Sequence, residues 1–276
     1  MSSLKPGRFT VMSAKFGRLN SKSLYLKRRT WRFKFRISLL LLALASGSLS
    51  PFSPLFPQTD PASEWNLLYP MIRDRLILKE EARRQLKALE GRLKDQYSKN
   101  LIIHEGDGLC FPLKGYTFHS IGGRGGSGYR IEGYDFFDSS EHQGHPGHDI
   151  FMRDRDQDCL DDATGKPVGV LAAAAGVVVS VNLGWEPSSR IRGGNYVWIC
   201  DPVKARYYYY AHLDQVFVKV GQVVPRGERL GTVGRTGLNA YPKRSPTHLH
   251  FTTHQSVEGY PKPTNPYNEL VKGYPR

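Results

Sequence analysis

The chain has 276 residues, 39% of them apolar and 23% charged, which fits a globular domain with appendages and excludes wholesale disorder. Its formal net charge is +14, but residues 1–36 hold 11 Lys/Arg and no acid, while the rest carries 28 basic and 25 acidic side chains. The globular part is nearly balanced, so the charge belongs to one basic arm and the reading as a nucleic-acid binder loses its footing.

The residues after the arm give it a different meaning. Residues 37–45 read ISLLLLALA directly after RRTWRFKFR. A positive block, a short apolar stretch and small residues at Ala43-Leu44-Ala45 form a secretory signal pattern. The uncharged stretch continues to Pro57, but Pro51, Pro54 and Pro57 oppose one continuous membrane-spanning helix, which needs about 20 apolar residues. Residues 1–45 are therefore read as a basic n-region with a signal peptide or an inner-membrane anchor, cleavage being favoured. Basic residues stay cytoplasmic, so the chain after residue 46 is expected in the cell envelope, periplasmic or secreted.

Residues 46–61 form a Ser/Pro-rich linker. Residues 62–100 read as a helical spacer that Pro70 interrupts early. Ala82, Leu86, Leu89 and Leu93 make one apolar stripe, and Glu80 is placed to pair with Arg84 one turn on. Two heptads are too few for a coiled coil, so the stripe is expected to pack on the following domain.

From residue 108 to 270 short β-rich runs alternate with Gly, Pro, Asn and Asp turns, which predicts a compact, mostly antiparallel β domain. The clearest runs are 168–183, 195–200, 206–213 and 248–254, the middle two joined as a hairpin by DPVKA. Alternation sends two of Tyr207 to Tyr210 to each face. Gly123 to Gly128 matches GxGxxG literally, but no βαβ context surrounds it, so it is read as a flexible loop. Cys110, Cys159 and Cys200 allow one disulfide or none and contain no CxxC.

The histidines cluster. His145 and Asp149 lie in HPGHD, His212 in YAHL, and His248 and His250 in HLH. Imidazole and carboxylate are ordinary zinc ligands, and catalytic sites keep three protein ligands with one open position. His248 and His250 stand two apart in a strand, so both face one way. His104, His119, His142 and His254 are read as surface or packing residues.

HPGHD, NYVWI, YYYYAHLD, VKVGQVVPRGERLGTVGRTG and THLHF, in that order over residues 110–257, resemble the lysostaphin-type (LytM-like) zinc metallopeptidases. The resemblance implies an antiparallel β fold with a groove over one zinc ion, and hydrolysis of peptide bonds in peptidoglycan stem or cross-bridge peptides. By position it implies His145, Asp149 and His250 as zinc ligands and His212 and His248 as catalytic histidines. Which of the two is the general base is left open, as is the bond that is cut. His148 falls outside the motif, and Asn195 and Arg235 are expected only to shape the groove. A family member that merely binds peptidoglycan or activates another hydrolase would lose ligands, and here all five positions are filled. One insertion departs from the simple pattern: Asp154, Asp156, Asp158 and Asp162 match calcium-loop positions 1, 3, 5 and 9, but Cys159 replaces the required Gly and Gly165 the required Glu. A solvated acidic loop is the expected reading.

Overall fold

The computed structural model describes residues 59–101, 108–141 and 143–273. The expected signal or anchor at 1–45, nearly all of the 46–61 linker, His104 and His142 lie outside the described residues. Among the described residues no helix is long and apolar enough to cross a membrane.

Helix α1 spans Pro61–Arg73 and α2 spans Lys79–Tyr97. The Asp60 side chain caps α1 by accepting from the Ser63 backbone N–H at 2.9 Å, and Pro61 begins the helix where a missing N–H costs nothing. Pro70 does not interrupt α1 as expected. It lies inside the helix, which ends one residue past Ile72, and the true break is the turn from Asp74 to Leu78. Arg84 forms its ion pair with Glu81, at 2.6 Å, rather than with Glu80. The apolar stripe of α2 is buried as its spacing predicts, with Tyr97 extending it.

The remaining elements are β1 (Gly147–Phe151), β2 (Gly169–Leu171), β3 (Gly176–Asn182), β4 (Asn195–Asp201), β5 (Arg206–Val216), β6 (Val223–Val224), β7 (Arg229–Val233), β8 (His248–Val257), β9 (Tyr260–Thr264) and a short helix α3 (Tyr267–Lys272). All strand pairings are antiparallel. The path of the sheet is β1-β8-β5-β4-β3-β6, with β9 alongside β8 and β7 joining β5 to β2. The DPVKA hairpin joins β4 to β5, and the 168–183 run divides into β2 and β3.

Period-two alternation gives the sheet two different faces. One carries Ile150, Val178, Val197, Ile199, Tyr208, Tyr210, Leu249 and Phe251 into a core completed by the 109–113 segment. The other carries Val177, Val179, Tyr196, Trp198, Cys200 and Tyr207 against α1 and α2. Trp65 of α1, 1% exposed, sits at 5.7 Å from both the Trp198 and Tyr207 rings, and Tyr69 meets Trp198 at 5.3 Å. The helices therefore cover part of the same face that bears Asp149 on β1 and His250 on β8. Cys110, Cys159 and Cys200 are all free thiols.

Candidate active site

Strand pairing brings the first residues together. Asp149 of β1 stands opposite His250 of β8, and His250 stands opposite Ala211 of β5. His145 comes from the turn before β1, where its backbone pairs with Arg130. Strict alternation would turn His212 away from this face, because Ala211 already points into it. His212 instead takes φ +65°, in the left-handed region, beside a register shift of β5. That local strain swings its ring into the groove. Gly237 makes room: a Cβ there would sit 2.9 Å from His212 Nδ1 and 2.3 Å from the Arg192 carbonyl.

The atoms converge on one carboxylate oxygen. Asp149 Oδ1 lies 3.2 Å from His145 Nε2, 2.9 Å from His250 Nδ1 and 3.6 Å from His248 Nε2. Ligand atoms of His145, Asp149 and His250 all lie within 4.8 Å of one another. The rings of His212 and His248 are 4.9 Å apart.

Backbone carbonyls settle where the imidazole protons sit, because a carbonyl only accepts. His145 Nδ1 donates to Gly128 O at 2.9 Å, His212 Nδ1 to Thr236 O at 2.8 Å, and His248 Nδ1 to Pro246 O at 2.7 Å. Each neutral ring then presents an Nε2 lone pair. For His145 that lone pair faces an acceptor oxygen of Asp149, an arrangement that requires a cation between them, either a proton or a metal. The donor set of two imidazoles and one carboxylate, with N···O separations close to the edge of a zinc tetrahedron (about 3.3 Å), fits a divalent ion.

Charge follows from the same geometry. Burial opposes ionisation of Asp149, but hydrogen bonds from His145 and His250, together with the charge of His250 and His248, outweigh it and hold the carboxyl far below its usual range. Burial depresses His145, yet the bond and charge of Asp149 bring its net shift upward. Burial lowers His250 despite Asp149. Burial, reinforced by repulsion from His248 and His250, keeps His212 neutral well below the usual imidazole range.

These groups line a cavity of about 750 Å³ on the helix-bearing face. Tyr209 and Trp198 stack in its floor at 4.5 Å, while Tyr207 packs under Trp65, so one tyrosine of that pair lines the groove and the other fills the core. His254, expected as a surface or packing residue, is 1% exposed among Phe136 and Trp198. Asn195 is buried and bonds the backbone N–H of Trp185. Arg235 donates to the carbonyls of Tyr241, Pro242 and Ser245 and to Thr247 Oγ1, which fixes the loop that delivers His248.

The sequence did not point to Gly128, Thr236 or Pro246 as orienting groups, because a carbonyl leaves no side-chain signal. The GxGxxG segment, expected as a flexible loop, holds a turn of 3-10 helix at Arg124–Gly126, and its last glycine supplies the acceptor for His145. In the acidic insertion, Asp154 is 7% exposed and accepts from the backbone of Asp158 and Cys159 and from Thr247 Oγ1 at 2.6 Å. Asp156 and Asp162 have oxygens near it but are exposed. Asp154 thus ties the loop to the strand that carries His248.

The family model described as Peptidase family M23 matches residues 156–266. The matched stretch contains His212, His248 and His250, with His145 and Asp149 just upstream. No curated protein matches the chain. Among solved structures it is similar to the catalytic domain of the antimicrobial peptidase lysostaphin from Staphylococcus simulans, at 26% identity and TM-score 0.34, over 46% of this chain and 79% of that one. It is also similar to a zinc containing peptidase from Vibrio cholerae, at 23% identity and TM-score 0.35, over 57% of this chain and 39% of that one. A peptidase M23 structure from Pseudomonas aeruginosa is similar at 23% identity and TM-score 0.36, over 69% of this chain and 63% of that one. Full-length lysostaphin is covered over 44% of its length.

Proposed function

We propose that this chain is an exported zinc metalloendopeptidase of the M23 type that hydrolyses peptide bonds in bacterial peptidoglycan. The observation that carries the reading is the Asp149 oxygen facing imidazole nitrogens of His145 and His250 with His212 and His248 beside them. His145, Asp149 and His250 would hold the ion. A bound zinc supplies Lewis acidity and an activated water at neutral pH.

The chain's own residues do the proton work. His248 and His212 both point Nε2 lone pairs inward, held by the Pro246 and Thr236 carbonyls. His248 is assigned the general base by position, two residues from the ligand His250 on the same face of β8 and with its Nε2 3.6 Å from Asp149 Oδ1. His212 resists positive charge, so its role is to accept a hydrogen bond from the attacking water and orient it. The imidazolium of His248 then returns the proton to the leaving amine. The export signal read in the sequence of residues 1–45 supports an envelope location, and the proposed partner is a peptidoglycan peptide and not nucleic acid.

The test is digestion of purified sacculi by the zinc-loaded full chain, with fragments identified by mass spectrometry. New amine termini absent from the His248→Ala control are expected. Intact sacculi at every enzyme concentration would overturn the reading.

A further inference from the structure

The acidic insertion after β1 has no part in the chemistry assigned so far. One of its carboxylates, Asp154, is buried, whereas Asp156 and Asp162 are exposed. The turn that follows Asp154 takes left-handed backbone at Gln157 (φ +66°) and Cys159 (φ +69°). The backbone N–H groups of Asp158 and Cys159 come back onto Asp154, at 3.1 Å on Oδ1 and 3.0 Å on Oδ2. Thr247 Oγ1 donates to Oδ2 at 2.6 Å. A carboxylate has about four acceptor positions, and these three bonds fill most of them. The insertion thus directs its buried anion at the hydroxyl next to His248.

That hydroxyl is held from two sides. It donates to Asp154 and accepts from Arg235 Nη1 at 3.1 Å, so it bridges a buried carboxylate and a buried guanidinium. The Thr247 backbone carbonyl accepts from the Met152 N–H at 3.2 Å. On the other side of Pro246, the Ser245 carbonyl accepts from Arg235 Nη1 at 2.7 Å, and Gln157 of the insertion donates to the Lys243 carbonyl at 3.0 Å. Pro246 has no N–H of its own. Its carbonyl, clamped between these neighbours, accepts from His248 Nδ1 at 2.7 Å. The direction of that carbonyl decides which nitrogen of His248 keeps the proton and where the other one points.

We infer that Asp154, acting through the hydroxyl of Thr247, is a positioning residue for proton transfer: it fixes the Pro246 carbonyl and, through it, the Nδ1–H form of His248 whose Nε2 takes the proton of the attacking water. This rests on the peptidase reading and deepens it. The acidic insertion is then part of what aims the base.

Two measurements on the zinc-loaded full chain test this. Heteronuclear NMR of protein labelled at its histidine nitrogens reads the His248 tautomer without any substrate. Steady-state cleavage of a synthetic cross-linked stem-peptide dimer reads kcat and KM separately. Wild type should show His248 protonated at Nδ1. Thr247→Val and Asp154→Asn should each give a mixture of the two tautomers and lower kcat about ten- to hundredfold, with KM changed by less than about twofold. Thr247→Ser, which restores the hydroxyl, should recover most of both. Should one of the first two variants fail to fold, the other carries the test. Wild-type His248 protonated at Nε2 overturns the inference, and so does a folded Thr247→Val or Asp154→Asn chain with the wild-type tautomer or with undiminished kcat. A rise in KM at unchanged kcat marks a merely structural role and overturns it too. If wild type cleaves nothing, the peptidase reading fails, and the tautomers alone decide the positioning.

Discussion

Two histidines on one wall of the site differ in their surroundings. His248 has the Asp149 carboxylate near its Nε2, whereas His212 is buried beside two further imidazoles and disfavours charge. His248→Ala is expected to retain bound zinc and to lose about 10²- to 10⁴-fold in kcat, as removal of a general base does. Metal analysis beside sacculus turnover checks both halves, and full turnover in that variant would remove the assignment. Gly237→Ala is expected to act on His212 by direct contact. At φ +106° a side chain is strained, and its Cβ would press on the Arg192 carbonyl and the His212 ring. The variant should fold less stably by about 1–3 kcal/mol and turn over more slowly. Unchanged melting and turnover would show that the close approach is not required.

At the scale of elements, α1 and α2 behave as part of the β domain's packing. Asn66 of α1 accepts from Ser180 Oγ at 2.8 Å and from the Val181 backbone N–H at 3.2 Å, beside the register shift in β3. Asn66→Ala leaves those donors without their partner, so a loss of about 1–3 kcal/mol is expected in denaturant unfolding. Glu90 of α2 gives a pH signature. Burial raises its carboxyl above the ordinary 4.5, against hydrogen bonds from Ser256 and Tyr207 that lower it. The folded state then binds the proton more tightly than the unfolded chain, so stability falls as pH rises from 4.5 through the folded value. Glu90→Gln keeps an acceptor oxygen without the charge. It should melt higher than wild type at pH 7 and together with it near pH 4, and a lower melting temperature at pH 7 would show that the buried charge is not a cost. Much of this scale was legible from spacing: the α2 stripe, the β4–β5 hairpin and the shared face of His248 and His250. The fate of Pro70 was not. A proline removes one helical bond, and the packing of Trp65, Leu68 and Ile72 on the sheet outweighs that loss. His212 was legible only through its motif, because its left-handed backbone breaks the alternation from which its face would be read.

Across the whole molecule, one sheet presents an apolar core on one side and, on the other, helices next to an aromatic groove. Anything that binds only the folded state raises stability by mass action, about 2.7 kcal/mol at a hundredfold excess over Kd. Zinc should therefore raise the melting temperature of the metal-free chain. The proposed catalysis requires Asp149, His145 and His250 to grip one ion together. Metal analysis of the purified full chain and its Asp149→Asn variant, each assayed on sacculi before and after chelation, puts that dependence to the proof. One zinc per wild-type chain is expected, with cleavage that chelation abolishes and zinc restores, and neither metal nor cleavage in the variant. A wild-type chain that carries no zinc after loading, or that cuts sacculi equally well with chelator present, would contradict it.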